Sequence, residues 1–181
     1  MCPGECKDRM GDAFAKFGRV PILRRTRVAP ADDPAFRSRS RAPFWASGGL
    51  IHDGHGQIVL VRTGQASTSG LWFTPGGLLE RGETTDGGLR REVREEVGLD
   101  LIDPVLTRII HETLTDGERA RHGYFAQFIA RAPSKELRPG HEAIEAQWFD
   151  ALPEDLAFRE DYTVDFSRVR KASRVRKAAS F

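Results

Sequence analysis

Three glutamates, Glu92, Glu95 and Glu96, stand at i, i+3 and i+4 in a stretch of helical character, RREVREEVG, that closes on Gly98. At 3.6 residues per turn this spacing places all three carboxylates on one helical face. Like charges so placed cost about 0.2–0.5 kcal/mol per pair in a bare helix, and a merely solvated face usually mixes its signs. Packed carboxylates become favourable around a hard divalent cation. Mg²⁺ suits best, because it takes oxygen ligands in near-octahedral geometry and keeps waters that it shares with substrate phosphate. Arg91, beside Glu92, can hold a carboxylate by a charge-assisted bond. Upstream, Pro75-Gly76-Gly77 supplies a tight turn whose glycines let backbone carbonyls approach an ion or ligand, and Glu83 lies in the loop leading into the helix. The chemistry indicated is metal-dependent work on a phosphate-bearing substrate.

The full spacing is G-x5-E-x7-R-E-U-x-E-E-x-G-U, with U aliphatic: Gly77, Glu83, Arg91, Glu92, Val93, Glu95, Glu96, Gly98 and Leu99. This resembles the Nudix box with every fixed position filled, and the wider resemblance covers roughly residues 44–152. It implies an α/β fold, a Nudix-type α/β/α sandwich with a mixed β-sheet. It also implies a hydrolase that cleaves a diphosphate linked to another moiety, usually a nucleoside, with the help of one to three Mg²⁺ or Mn²⁺ ions. Breaking a phosphoanhydride requires cancelled charge on the phosphate oxygens and an activated water, which such ions supply. Carried over position by position, Glu95 and Glu96 resemble the principal metal ligands, Glu92 a ligand or the base, and the Gly77 carbonyl a further ligand. Arg91 resembles the clamp on Glu92, and Glu83, with Gly76, a support for the loop. A distal acid is expected from Glu112, Glu118, Glu142 or Glu145, with Glu142 favoured by its loop before the Trp148-Phe149 strand.

The box fixes the reaction and leaves the attached group open. A nucleoside di- or triphosphate or a nucleotide-sugar is the expected substrate. Two alternatives stand beside it: an RNA 5′-end pyrophosphohydrolase or decapping-like enzyme that grips RNA with basic termini, and a non-catalytic nucleotide-binding module, which would be expected to lack box glutamates. None is missing here. Gly87-Gly88 departs from the small helix formers usual at that point. Each helical Gly costs about 1 kcal/mol against Ala, so replacing both by Ala is expected to raise stability. Thr74 stands where an aliphatic residue is common.

The elements that must position these groups lie within 181 residues, 39% hydrophobic and 30% charged, enough for one domain with extensions. No apolar run approaches the ~20 residues of a membrane span. Cys2 and Cys6 are the only cysteines and cannot staple a core; the expected location is cytoplasmic, with a homodimer open. Charge is uneven: net +5 over residues 1–44, −8 over 45–162 and +5 over 163–181. The expected organisation is therefore a basic N-terminal extension (1–43), a catalytic domain (44–162) and a basic, flexible C-terminal tail (163–181). In the extension, Met10, Ala13, Phe14 and Phe17 are spaced for a short helix around Asp8–Gly18, and the Arg- and Pro-rich stretch after Pro21 has linker composition. Strands are expected at Phe44–Ile51, Gln57–Arg62, Leu71–Phe73, Leu101–Leu114, Tyr124–Ala130 and Glu145–Asp150. A helix is expected from about Thr84 and another over Leu152–Asp161. Trp45, Trp72 and Phe73 read as core before base-stacking residues, and none of the five histidines is given a role. The tail repeats SRVRKA at 167–172 and 173–178, a basic run expected to be disordered or weakly helical.

Overall fold

The computed structural model describes residues 8–29, 31, 36, 42–63, 70–140 and 143–178. In chain order the elements are α1 (Arg9–Phe17), β1 (Ile22–Val28), β2 (Phe44–His52), β3 (Ile58–Thr63), β4 (Gly76–Leu78), α2 (Thr85–Val97), β5 (Ile102–Thr115), β6 (Ala120–Arg131), β7 (Ala143–Phe149) and α3 (Arg159–Ala178). Six strands form one mixed sheet in the order β1-β5-β6-β2-β3-β7, and β4 pairs with β2. The β1–β5 and β2–β6 pairs are parallel and the others antiparallel.

Alternation along the strands divides the core. Ile51, Val59, Val61, Ile109, Ala126 and Phe128 face α1 and α2, together with Leu89, Val93 and Val97. Leu50, Ile58 and Leu60 face the other way, onto Trp72, Leu156, Tyr162 and Val169 of the α3 side. Period-two side-chain alternation in strands buried on both faces produces this two-sided core. The result is the expected α/β/α sandwich with a mixed sheet.

Several local expectations differ from the structure; Leu71–Phe73, expected as a strand, makes only isolated bridges at Trp72 and Phe73. The arginine-rich stretch after Pro21 reads as linker, yet Ile22–Val28 is a strand, in register with Ile109–Thr115 of β5. Two of its three arginines are paired with acids 85 or more residues away in sequence: Arg25 Nε and Arg27 Nε both donate to Glu112 Oε1, at 3.0 and 3.4 Å, and Arg25 also bonds Asp161. Local composition cannot display such partners.

The tail, expected to be disordered or weakly helical, continues as α3 through Ala178. Tyr162, Asp165, Val169 and Ser173 are buried at helical spacing. Asp165, fully buried, accepts from Thr107 Oγ1 (2.8 Å), Gln127 Nε2 (2.8 Å) and Arg108 Nη2 (3.0 Å) and so binds the helix to the sheet. The helix also starts later than Leu152, which lies in a turn-rich connection ending at Phe158. No helix among the described residues is long and apolar enough to cross a membrane.

Candidate active site

Helix α2 carries the acidic cluster. Thr84 caps it, its Oγ1 accepting from Gly87 N at 3.1 Å, and the Gly98 N–H closes it on Arg94 O at 3.0 Å. Leu89, Val93 and Val97 form the stripe on the sheet. With that stripe inward, Glu96 flanks the core, Glu92 lies a little further round, and Glu95 points to solvent. Burial follows: Glu96 is 8% exposed, whereas the Glu95 side chain is 61% exposed.

The turn at Pro75 sends Gly76 and Gly77 along β2 as β4, opposite Gly48 and Ser47. Gly76 N donates to Glu96 Oε2 at 2.9 Å. A Cβ on Gly77 would lie 2.5 Å from Glu92 Oε1, so a larger residue here would displace that carboxylate from its bond to Arg91. Thr74 Oγ1 donates to the Tyr162 hydroxyl at 2.8 Å. This bond gives the unusual Thr74 a purpose: it ties the loop to α3. Burial pushes the Tyr162 phenol up to about 12.

Arg91 is the hub. Its Nε and Nη2 each meet a Glu83 carboxylate oxygen at 3.0 Å; Nη1 bonds Glu92 Oε1 (2.9 Å) and Glu95 Oε2 (3.0 Å); Nη2 also bonds Leu78 O (2.9 Å). The bonds from Glu83 and Glu92, against a smaller opposing effect of burial, hold the guanidinium above its already high range. Burial pushes the Glu83 carboxyl up, but the bonds from Arg91 and from Glu80 N prevail and the net shift is downward.

These groups border a cleft of about 530 Å³. Glu92, Glu96, Gly76 and Gly77 line it, as do Glu112, Asp161, Arg25 and Arg27, with Phe44, Phe73, Phe125, Phe158 and Tyr162. Of the four distal acids considered from sequence, Glu112 lines the cleft. Glu145 pairs with Arg62 at 3.1 Å on β7, Glu118 is exposed in the β5–β6 turn, and Glu142 lies outside the described residues. Trp72 is core and Phe73 reaches the cleft; Trp45 stacks on Tyr124 on the opposite face of the sheet. Arg25, Arg27, Asp161, Phe158 and Tyr162 went unrecognised in the sequence, although the helical spacing of Tyr162, Phe166 and Val169 was a signal for α3.

Among the described residues no three acidic, imidazole or thiol groups already converge as a metal cage. The donor set nevertheless fits a hard ion. Mg²⁺ is commonly held by one or two carboxylates, with waters and substrate phosphate completing its shell, and Glu92, Glu96 and Gly77 all line the same cleft.

The NUDIX domain family model matches residues 43–165. An ADP-ribose pyrophosphatase from Methanocaldococcus jannaschii is 33% identical over 118 residues, covering 64% of this chain and 68% of that protein. A MutT4-type mutator relative from Mycobacterium tuberculosis is 32% identical over 157 residues, 74% of this chain and 62% of that protein, so the chain spans less than two thirds of that relative's length. Among solved structures, a MutT NUDIX hydrolase from Burkholderia pseudomallei superposes with a TM-score of 0.57 at 26% identity, covering 71% of this chain and 98% of that one. The filled box, the sandwich that presents it and these likenesses agree: the chain belongs to the Nudix hydrolase family.

Proposed function

We propose that this protein is a divalent-metal-dependent pyrophosphohydrolase that cleaves the phosphoanhydride of a nucleoside di- or triphosphate or of a nucleotide-sugar. The observation that carries the reading is the shared cleft, lined by Glu92, Glu96 and the Gly76-Gly77 backbone together with several aromatic rings. Relatives named ADP-ribose pyrophosphatase and 8-oxo-dGTP diphosphatase support the substrate class.

Glu92, Glu96 and the Gly77 carbonyl would hold Mg²⁺ or Mn²⁺, with Glu95 joining from the rim. The ion, when bound, supplies charge cancellation on the phosphate oxygens and a more acidic water. Glu92, whose Oε1 accepts from Arg91 Nη1, would serve as a ligand or as the base that takes the water's proton. Glu96 keeps the Gly76 strand in place through its bond to Gly76 N. Arg91 acts through the glutamates, as a positioning residue. The apolar rings exclude water around the substrate's non-reacting part.

The test is hydrolysis of a nucleotide panel with Mg²⁺ by the wild type and by Glu96→Gln, following phosphate and pyrophosphate. Turnover of at least one nucleotide diphosphate bond is expected in the wild type, abolished by chelation and reduced at least about a hundredfold in the variant. A wild-type rate retained in Glu96→Gln would overturn the assignment.

A further inference from the structure

The cleft that holds Glu92 and Glu96 is also lined by Arg25, Arg27 and Phe158, from β1 and the turn before α3. β1 lies wholly outside the matched region 43–165. Phe158 is 42% exposed and held at φ +54°, a conformation that non-glycine residues adopt mainly where their surroundings impose it. The Arg25 guanidinium lies 4.5 Å from its ring centre and that of Arg27 5.8 Å. Arg25 is engaged twice, through Nε by Glu112 and through Nη1 by Asp161. Arg27 is engaged only through Nε, by a long 3.4 Å bond to Glu112; among the described residues its two Nη groups have no partner. Two adjacent donors on a rigid fork therefore face the cleft beside a ring set out for stacking.

The charges present decide what kind of group enters. Four carboxylates, Glu92, Glu96, Glu112 and Asp161, line the cleft against two arginines. A second anion beside the arginines would meet Glu112 and Asp161; a neutral flat ring meets Phe158 and its aromatic neighbours instead. Glu112 already accepts from both arginines on Oε1 and its side chain is only 12% exposed, so the open polar edge is a donor edge. Among nucleobases, a 6-oxopurine offers two adjacent acceptors, O6 and N7, to such a fork, whereas adenine turns its N6 amino donor toward it.

We infer that Arg27 and Phe158 form a base subsite selective for 6-oxopurine nucleotides, with the base stacked on Phe158 and read on O6 and N7 by the Arg27 Nη groups. This rests on the proposed pyrophosphohydrolase activity for its kinetic test and on binding alone for its second test.

The kinetic test compares kcat/KM for GTP and ATP in the wild type, Arg27→Met and Arg27→Lys. Methionine keeps the apolar stem without donors; lysine keeps the charge without the fork. The wild type is expected to favour GTP by about tenfold or more, the discrimination of one bidentate pair. That ratio should collapse toward one in Arg27→Met and fall partway in Arg27→Lys, with the change carried by KM. Phe158→Leu should raise KM for both nucleotides and leave their ratio. Equal wild-type use of ATP and GTP, or a ratio unmoved by both Arg27 variants, overturns the inference while leaving the hydrolase reading intact. If the wild type hydrolyses neither nucleotide, calorimetric binding of GDP and ADP to the same three proteins decides: tighter GDP binding lost in Arg27→Met supports the subsite even as the activity fails, and equal affinities overturn it.

Discussion

Arg91 and Glu83 meet as two parallel forks, Nε to Oε1 and Nη2 to Oε2, both at 3.0 Å. The pair joins the middle of the site-bearing helix to the loop that precedes it. The same guanidinium reaches Glu92 and Glu95, so one side chain sets the spacing of three acids. Bidentate geometry is what lysine cannot reproduce.

Arg91→Lys is therefore expected to lose about 1.5–3 kcal/mol of stability, the range for hydrogen bonds to charged groups, and to lower kcat more than tenfold. Denaturant midpoints and initial rates measure the two effects. A variant with wild-type kcat would show that Glu92 is placed without its clamp.

Gly88→Ala is expected to destabilise, contrary to the gain that helix propensity alone suggests. A Cβ there would lie 2.0 Å from Leu79 Cδ2, 3.1 Å from Glu83 Oε2 and 3.2 Å from the buried Ser47 Oγ. Overpacking of about 1–3 kcal/mol outweighs the propensity gain of about 1 kcal/mol. At Gly87 a Cβ would lie 2.9 Å from the Thr84 capping oxygen, so Gly87→Ala should change stability little, the cap loss offsetting the propensity gain. Thermal melts of the two single variants separate the effects; a Gly88→Ala protein more stable than wild type would refute the packing argument.

Acid should weaken the fold through Glu83 and Asp86. Burial raises each carboxyl, but Arg91 holds Glu83, and Lys16, whose Nζ is 2.5 Å from Asp86 Oδ2, holds Asp86, below the usual carboxylate range. With folded pKa values depressed, the stability they contribute is present above the unfolded values near pH 4 and is lost as pH falls through the folded values. Unfolding midpoints measured from pH 6 to pH 2 should fall below about pH 4, and more shallowly in Lys16→Met. An identical slope in that variant would remove Asp86 from the account.

The two SRVRKA copies should not be equivalent. Val169 of the first is 3% exposed and Val175 of the second 70% exposed, because a six-residue offset turns a helix by about 240°. Val169→Ala should cost about 1–3 kcal/mol and Val175→Ala less than about 0.5 kcal/mol. Equal losses would mean that Val175 also packs on something.

The box, its helix and the tight glycine turn were legible in the chain because they are local. A cap at Thr84, an apolar stripe at Leu89, Val93 and Val97 and a closing Gly98 act within a few residues of one another, and the three glutamates are placed by helical geometry alone. The continuous apolar runs Leu50-Ile51 and Ile58–Val61 likewise announced buried strands. Tertiary structure decided which glutamates face the cleft: the direction of the buried stripe turns Glu96 inward and Glu95 to solvent. It also decided what shares the cleft with them. Arg25 and Arg27 look like linker arginines until β5 brings Glu112, and α3 brings Asp161, against them. Charge compensation across 85 residues or more has no local signature, and for that reason the family was readable from the chain while the residues that share the cleft with its glutamates became visible only in the folded molecule.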